Sequence, residues 1–138
     1  MRIFKHRIFH QWTKKEKINN SALKKAIEEI GKGLIDAFLG SGLYKQRIPR
    51  VGRGKRVGYR TILAFKEKER SVFMYGYAKN DQANISHREE KVYKKLAAYY
   101  LEMADEKVEM LIKNGELFEV NNYENGKKIK KNKKTNFA

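Results

Sequence analysis

"YRTILAFKEKERSVFMYGYAK", Tyr59 to Lys79, reads as two strands and a turn. Both runs, YRTILAFK and SVFMYGYAK, are rich in aromatic and β-branched residues, which fit a pleated, half-buried surface. The polar EKER between them supplies the turn, so the pair is predicted to form an antiparallel hairpin. Upstream, LYKQRIPR alternates apolar and basic residues with period two, as a half-exposed strand does. Pro49 has no N–H to give to a ladder, which confines that strand to an edge or an end. The intervening VGRGKRVG reads as a loop.

Working outward, the period changes to that of helices. RIFK near the start suggests a short strand, and FHQWTKKEKI sets Phe9 and Trp12 three apart on one helix face. NNSALKKAIEEIGKG is a clearer helix, with Asn20 or Ser21 as cap, a stripe of Leu23, Ala26, Ile27 and Ile30, and Gly31 and Gly33 as stops. LIDAFLGSG reads as a short apolar connection. After the hairpin, Ser86 and Glu89 match a capping box. The helix it opens carries Val92, Leu96, Tyr99 or Tyr100, and Met103. Asp105 is expected to cap a last helix with Val108, Leu111 and Ile112, closed by Asn114-Gly115. This order predicts an α+β fold. Its centre is a small antiparallel twisted sheet of three to four strands, with N-terminal helices packed on one face and C-terminal helices following. Residues 1–120 form the expected domain. In residues 121–138 the apolar content collapses, and NGKKIKKNKKTNFA has lysines and no acid. That segment is expected to be a disordered, solubilising tail, with a nonspecific electrostatic tether to RNA as the alternative.

Composition narrows the partners. The chain of 138 residues carries 32 Lys and Arg against 16 Asp and Glu, a net charge of +16. Such an excess attracts polyanions, nucleic acid first and an anionic membrane surface second. The absence of cysteine excludes disulfides, Cys-zinc sites and thiol nucleophiles. No apolar stretch approaches the roughly 20 residues that span a bilayer. Charges interrupt MRIFKHRIFHQW too often for a signal peptide, so the expected location is the cytoplasm with no membrane partner. His6 and His10 lie four apart, but no third ligand follows at a sensible spacing, so neither a metal nor another cofactor is expected.

The basic residues are concentrated. Between Ala37 and Lys66 there is no acid, while Lys45, Arg47, Arg50, Arg53, Lys55, Arg56 and Arg60 all fall there. Lys45 and Arg47 sit two apart and project from one strand face, as do Tyr75, Tyr77 and Lys79 on the last strand. If the three strands pair in order, these cations, Arg60 and a row of tyrosines converge on one concave surface. Gly52, Gly54 and Gly58 would let loop amides approach a phosphate closely. A merely solvated basic face does not account for Arg60 inside an apolar strand, or for tyrosines where valines would serve. GRGK lacks the Gly-x4-Gly-Lys-Ser/Thr spacing of a nucleotide-binding loop.

GLIDAFLGSGLYKQRIPRVGRGKRVGYRTILAF followed by FMYGYAKNDQANI resembles the RelE/HigB-type toxins of bacterial toxin–antitoxin pairs, over about residues 1–120. The resemblance implies a small α+β fold and a metal-independent endoribonuclease acting on mRNA, often within the ribosome. It also implies a cognate antitoxin, a small helix-turn-helix protein that covers the basic face. Lys45 and Arg47 match the family's basic pair, Arg60 its strand arginine and Lys79 the lysine that ends the last strand. Two positions depart. Asn80 stands where many members carry arginine, and the family's late tyrosine falls near Ser86, with no tyrosine until Tyr93. RNA brings its own nucleophile, the 2′-hydroxyl, so the protein must align it, stabilise added negative charge and move two protons. Arg60 is the expected phosphate clamp, because a guanidinium can hold two phosphate oxygens. Crowding by like charges lowers an ammonium pKa, which makes Lys45 or Lys79 the candidate base or acid. Tyr75 or Tyr77 would stack a base or carry a proton, and Arg50, Arg53, Lys55, Arg56 and Asn80 would contact RNA. The alternative is a binding protein without nuclease activity, either a ParE-like inhibitor of DNA gyrase or an RNA-binding module.

Overall fold

A computed structural model describes residues 1–50 and 54–120, residues 54–57 by backbone alone, and the backbone of residues 123–124 and 127–128. In chain order the elements are β1 (Arg2–His6), α1 (Arg7–Glu16), α2 (Asn20–Gly31), β2 (Ala37–Gly40), β3 (Leu43–Arg50), β4 (Gly54–Lys66), β5 (Arg70–Ala78), α3 (His87–Glu102), α4 (Asp105–Lys113) and β6 (Leu117–Glu119). Among the described residues they build one six-stranded sheet in the order β2-β3-β4-β5-β1-β6. Neighbours are antiparallel except β1 and β5, which run parallel. A separate two-residue pairing joins β7 (Tyr123–Glu124) to β8 (Lys127–Lys128).

The α+β class holds, and the predicted hairpin is β4–β5. The sheet is larger than the expected three to four strands and is mixed rather than antiparallel. β2 and β6 are four and three residues long, too short to show an alternation. The parallel partner of Arg2 is Arg70, a pairing that no local pattern records. The LIDAFLGSG connection contains β2, which pairs Ala37 with Lys45 and Phe38 with Tyr44. Most of the predicted VGRGKRVG loop is strand, because β4 already begins at Gly54 opposite Arg50. Pro49 sits near the end of β3, beyond the part that β2 pairs, so its missing N–H costs no ladder bond there.

Helices cover both faces of the sheet, not one. On one side α1 and α2 bury Phe9, Leu23, Ala26, Ile27 and Ile30 against Ile48, Leu63, Phe65 and Phe73. On the other, α3 and α4 bury Ala97, Tyr100, Val108 and Leu111 against Leu43, Ile62, Ala64, Val72 and Met74. Each of the larger aliphatic and phenyl side chains among these contributes roughly 1.5–3 kcal/mol by leaving water. The inward stripe of α3 is Tyr93, Leu96, Ala97 and Tyr100, whereas Val92 and Tyr99 remain half exposed. Asn19, not Asn20 or Ser21, caps α2 by accepting from the Ala22 N–H at 3.0 Å. The Ser86–Glu89 capping box is present. Asp105 does not cap α4. It lies in the first turn and accepts from Arg70, whose guanidinium also donates to the carbonyls of Tyr100 and Met103 at 2.7 and 2.8 Å. Arg70 thus satisfies otherwise unpaired carbonyls at the end of α3 and ties that helix to β5.

Candidate functional site

The site is set by strand register. Arg47 of β3 lies opposite Arg60 of β4, which lies opposite Tyr77 of β5. One step along, Lys45 faces Ile62, which faces Tyr75. Side chains alternate across a strand, so these two rows share the α3 face with Leu43 and Ala64. The row between them, Gln46, Thr61 and Gly76, belongs to the opposite face. There Trp12 lies so close over Gly76 that an added Cβ would stand 2.2 Å from the indole ring. Only a glycine allows that seat. Trp12 is therefore packed into the α1 side, against Phe9 and Tyr59 at ring-centroid distances of 5.4 and 5.2 Å.

Arg60 and Tyr77 are 7% and 4% exposed. The Arg60 Nη1 and the Tyr77 hydroxyl are both buried and have no hydrogen-bond partner among the described residues. Native structures rarely leave such groups unpaired, and adjacent ones aimed from facing strand positions suit a ligand rich in oxygen. Burial pushes the Tyr77 phenol above its ordinary pKa, although the Arg60 charge pulls it the other way. It is therefore a protonated donor at neutral pH.

Arg47 is partly neutralised. The buried Gln46 side chain donates to the Leu34 carbonyl at 2.8 Å and accepts from the Asp36 N–H at 3.1 Å. That grip brings Asp36 beside Arg47, where its carboxylate accepts from the Arg47 backbone N–H and lies 3.5 Å from the guanidinium Nε. The acid lies one residue outside the acid-free interval, so sequence order hid it.

The segment between β5 and α3 meets both ends of the Lys45–Ile62–Tyr75 row. Asn84 Oδ1 accepts from the Lys45 ammonium at 3.2 Å and from the Ile85 N–H at 2.8 Å. The Tyr75 hydroxyl donates to Gln82 Oε1 at 2.8 Å, and Gln82 Nε2 donates to the Asn84 carbonyl at 3.0 Å. Gln82 and Asn84 were not singled out from the sequence. The signal available was Asn84 in the ANI that closes the quoted motif. Tyr93 stacks on Tyr75 at 5.9 Å with an interplanar angle of 21°.

Other expected residues lie elsewhere. Arg50 points to the α1 side, its guanidinium carbon 5.1 Å from the Tyr59 ring centroid. Lys79 and Asn80 are exposed in the turn just after β5. Arg53 and the side chains of Lys55 and Arg56 lie outside the described residues. His6 caps α1 through Nδ1, accepting from the Ile8 N–H at 3.1 Å, and His10 stacks on Phe118 at 3.8 Å. Among the described residues no cluster of three His, Cys, Asp or Glu could hold a metal, and no helix is long and apolar enough to cross a membrane.

A family model described as the RelE toxin of the RelE / RelB toxin-antitoxin system matches residues 1–120. The chain belongs to the RelE toxin family. A search of curated proteins found no match. The family match ends at Val120, whose N–H donates to the Ile3 carbonyl at 2.8 Å and closes the sheet-bound part of this RelE-family chain. Membership implies an antitoxin as partner.

Proposed function

We propose that this RelE-family toxin is an endoribonuclease that cuts mRNA and so inhibits translation. The observation that supports it is the pair of buried, unpartnered groups, Arg60 Nη1 and the Tyr77 hydroxyl, side by side on a face edged by Lys45 and Arg47. Arg60 holds two oxygens of the scissile phosphate and stabilises charge as the 2′-hydroxyl attacks. The protonated Tyr77 donates to the leaving oxygen or to the phosphate. Lys45, held at its end by Asn84, adds positive charge to the same phosphate. Lys79, two residues past Tyr77, acts as the base that takes the proton given up by the attacking 2′-hydroxyl. Tyr75 offers a ring to a base. Arg47, Arg53, Lys55, Arg56 and Asn80 contact the RNA chain. The reaction needs no metal, because RNA supplies the nucleophile and these cations supply the charge. Residues 1–120 are the working domain, and the antitoxin is a helix-turn-helix protein that covers the basic face.

The test is an in-vitro translation reaction with purified protein, followed by primer extension on the mRNA, with Arg60→Ala as control. New ends within the translated region, absent with the variant, are expected. New ends on free RNA as well would show that the ribosome is dispensable. Intact mRNA with normal translation would sink the nuclease assignment and direct attention to DNA gyrase supercoiling.

A further inference from the structure

The last residue of β1 that pairs with β5 is Lys5, opposite Phe73, after which the chain turns into α1. From Met74 onward β5 therefore has an open edge. Between that edge and α3 lies a cavity of 370 Å³. Its inner walls are Met74, Tyr75, Tyr93 and Leu96, and Ile8 and Val92 flank it, 49% and 51% exposed. Three rings link the cavity to the phosphate row. Tyr93 stacks on Tyr75, the Tyr75 and Tyr77 centroids are 5.7 Å apart, and Tyr77 faces Arg60 across the sheet.

We propose that this cavity is a nucleobase subsite, taking the base next to the phosphate held by Arg60. The inference rests on the RNA-cleavage reading and specifies where the substrate's base goes. A mostly apolar cavity beside stacked aromatic rings suits a ring with a π-face. The polar groups lining it suit a base edge. His6 accepts the Ile8 N–H through Nδ1, which leaves Nε2 as a donor in the neutral ring. Arg88 adds further donors and Glu89 an acceptor. The spacing also fits. Diagonal partners such as Arg60 and Tyr75 stand roughly 7–8 Å apart in an antiparallel pair, which is within the reach of one nucleotide from phosphate to base. A ligand that offers a phosphate and an attached planar ring at that separation is a nucleotide. An unmodified protein segment carries no phosphate.

The experiment measures binding, so that it does not depend on cleavage. Short RNA oligomers carry a 2′-deoxy residue at the central position, and each flanking nucleotide in turn is made abasic. Affinity is read by fluorescence anisotropy. With the wild-type chain, one abasic position beside the central phosphate should weaken binding about tenfold and the others little. Val92→Trp, placed at the half-exposed flank where it should fold, fills the slot. It should bind the intact oligomer about tenfold more weakly and be indifferent to the abasic change. Tyr93→Leu keeps apolar packing, removes a ring and should show the same indifference. Abasic penalties that are absent, or equal in wild type and variants, overturn the subsite. Wild-type protein that binds no oligomer overturns the RNA reading as a whole. Variants that bind RNA normally but escape neutralisation by the antitoxin would show that a peptide, not a base, fills the cavity, and would overturn it too.

Discussion

Replacing Arg60 with methionine should stabilise the protein and sharply reduce its activity. Arg60 is 7% exposed, and its Nη1 finds no acceptor among the described residues. Its direct cross-strand neighbour is another cation, Arg47. Like charges directly opposite cost about 0.2–1 kcal/mol, and an unpaired buried donor costs about 1–3 kcal/mol, more when charged. Methionine keeps an unbranched stem of similar reach beside Ile62 and removes both penalties. The net gain should be about 1–3 kcal/mol, an upward shift of roughly 4–12 °C in the melting midpoint for a chain of this size. Cleavage should fall by a factor on the order of 10²–10³, the usual loss when one preorganised charge stabiliser is removed. Thermal melts by circular dichroism and urea titrations with an unchanged slope read the first quantity. Primer extension reads the second. A variant that melts at or below the wild-type temperature would refute the reasoning, because Arg60 would then be holding the fold together, and any lost cleavage would follow from lost structure.

Three further outcomes follow from the same geometry. Gly76→Ala places a methyl inside the Trp12 ring, and overpacking of this kind costs about 1–3 kcal/mol; the cost should shrink when Trp12 is also changed to Leu, and additive effects in that double-mutant cycle would contradict the contact. Asn84→Ala frees the Lys45 ammonium and leaves the Ile85 N–H unpaired, so stability should drop by about 1 kcal/mol and cleavage by about tenfold; cleavage unchanged in initial-rate assays would remove Asn84 from the site. Burial raises the phenols of Tyr59, Tyr75, Tyr77 and Tyr93, and that of Tyr100 to about 12. The unfolded chain then ionises first, so stability should be intact below pH 10 and fall as pH rises from 10 towards 12. Urea midpoints that stay level across that window would contradict the burial.

The β3–β4–β5 meander was legible because its pattern is local: alternation in LYKQRIPR, and β-branched and aromatic runs on either side of EKER. Alternation, with the three strands paired in order, predicts Lys45, Arg47, Arg60 and the row of Tyr75, Tyr77 and Lys79 on one face; the register sets all of them there except Lys79, which falls in the turn after β5. What escaped was long-range or too short to carry a period. β1 owes its place to a partner near residue 70, and β6 has only three residues. Arg50 was grouped with the site by charge, yet it follows Ile48 to the other side, where it meets Tyr59. Charge density does not record the face on which a side chain emerges. Asp36, Gln82 and Asn84 were missed for a related reason. Each reaches the site through a hydrogen bond that bridges separate segments, and polar residues in turns look alike in a sequence whatever they touch.

The parallel placement of β1 between β5 and β6 sets an order in time. β1 precedes both of its partners in the chain, so its hydrogen bonds wait for Arg70–Phe73 and then for Leu117–Glu119. At synthesis rates of roughly 5–20 residues per second, the first wait alone lasts about 3–13 s. The meander that carries the cationic rows joins neighbours in the chain and is free to form earlier. During translation its α3 face stays bare until the helices that cover it, which follow it in the chain, are made. The nascent chain thus displays its cationic rows before the sheet that supports them is complete. Shielding of that surface is needed soonest while the protein is still being made.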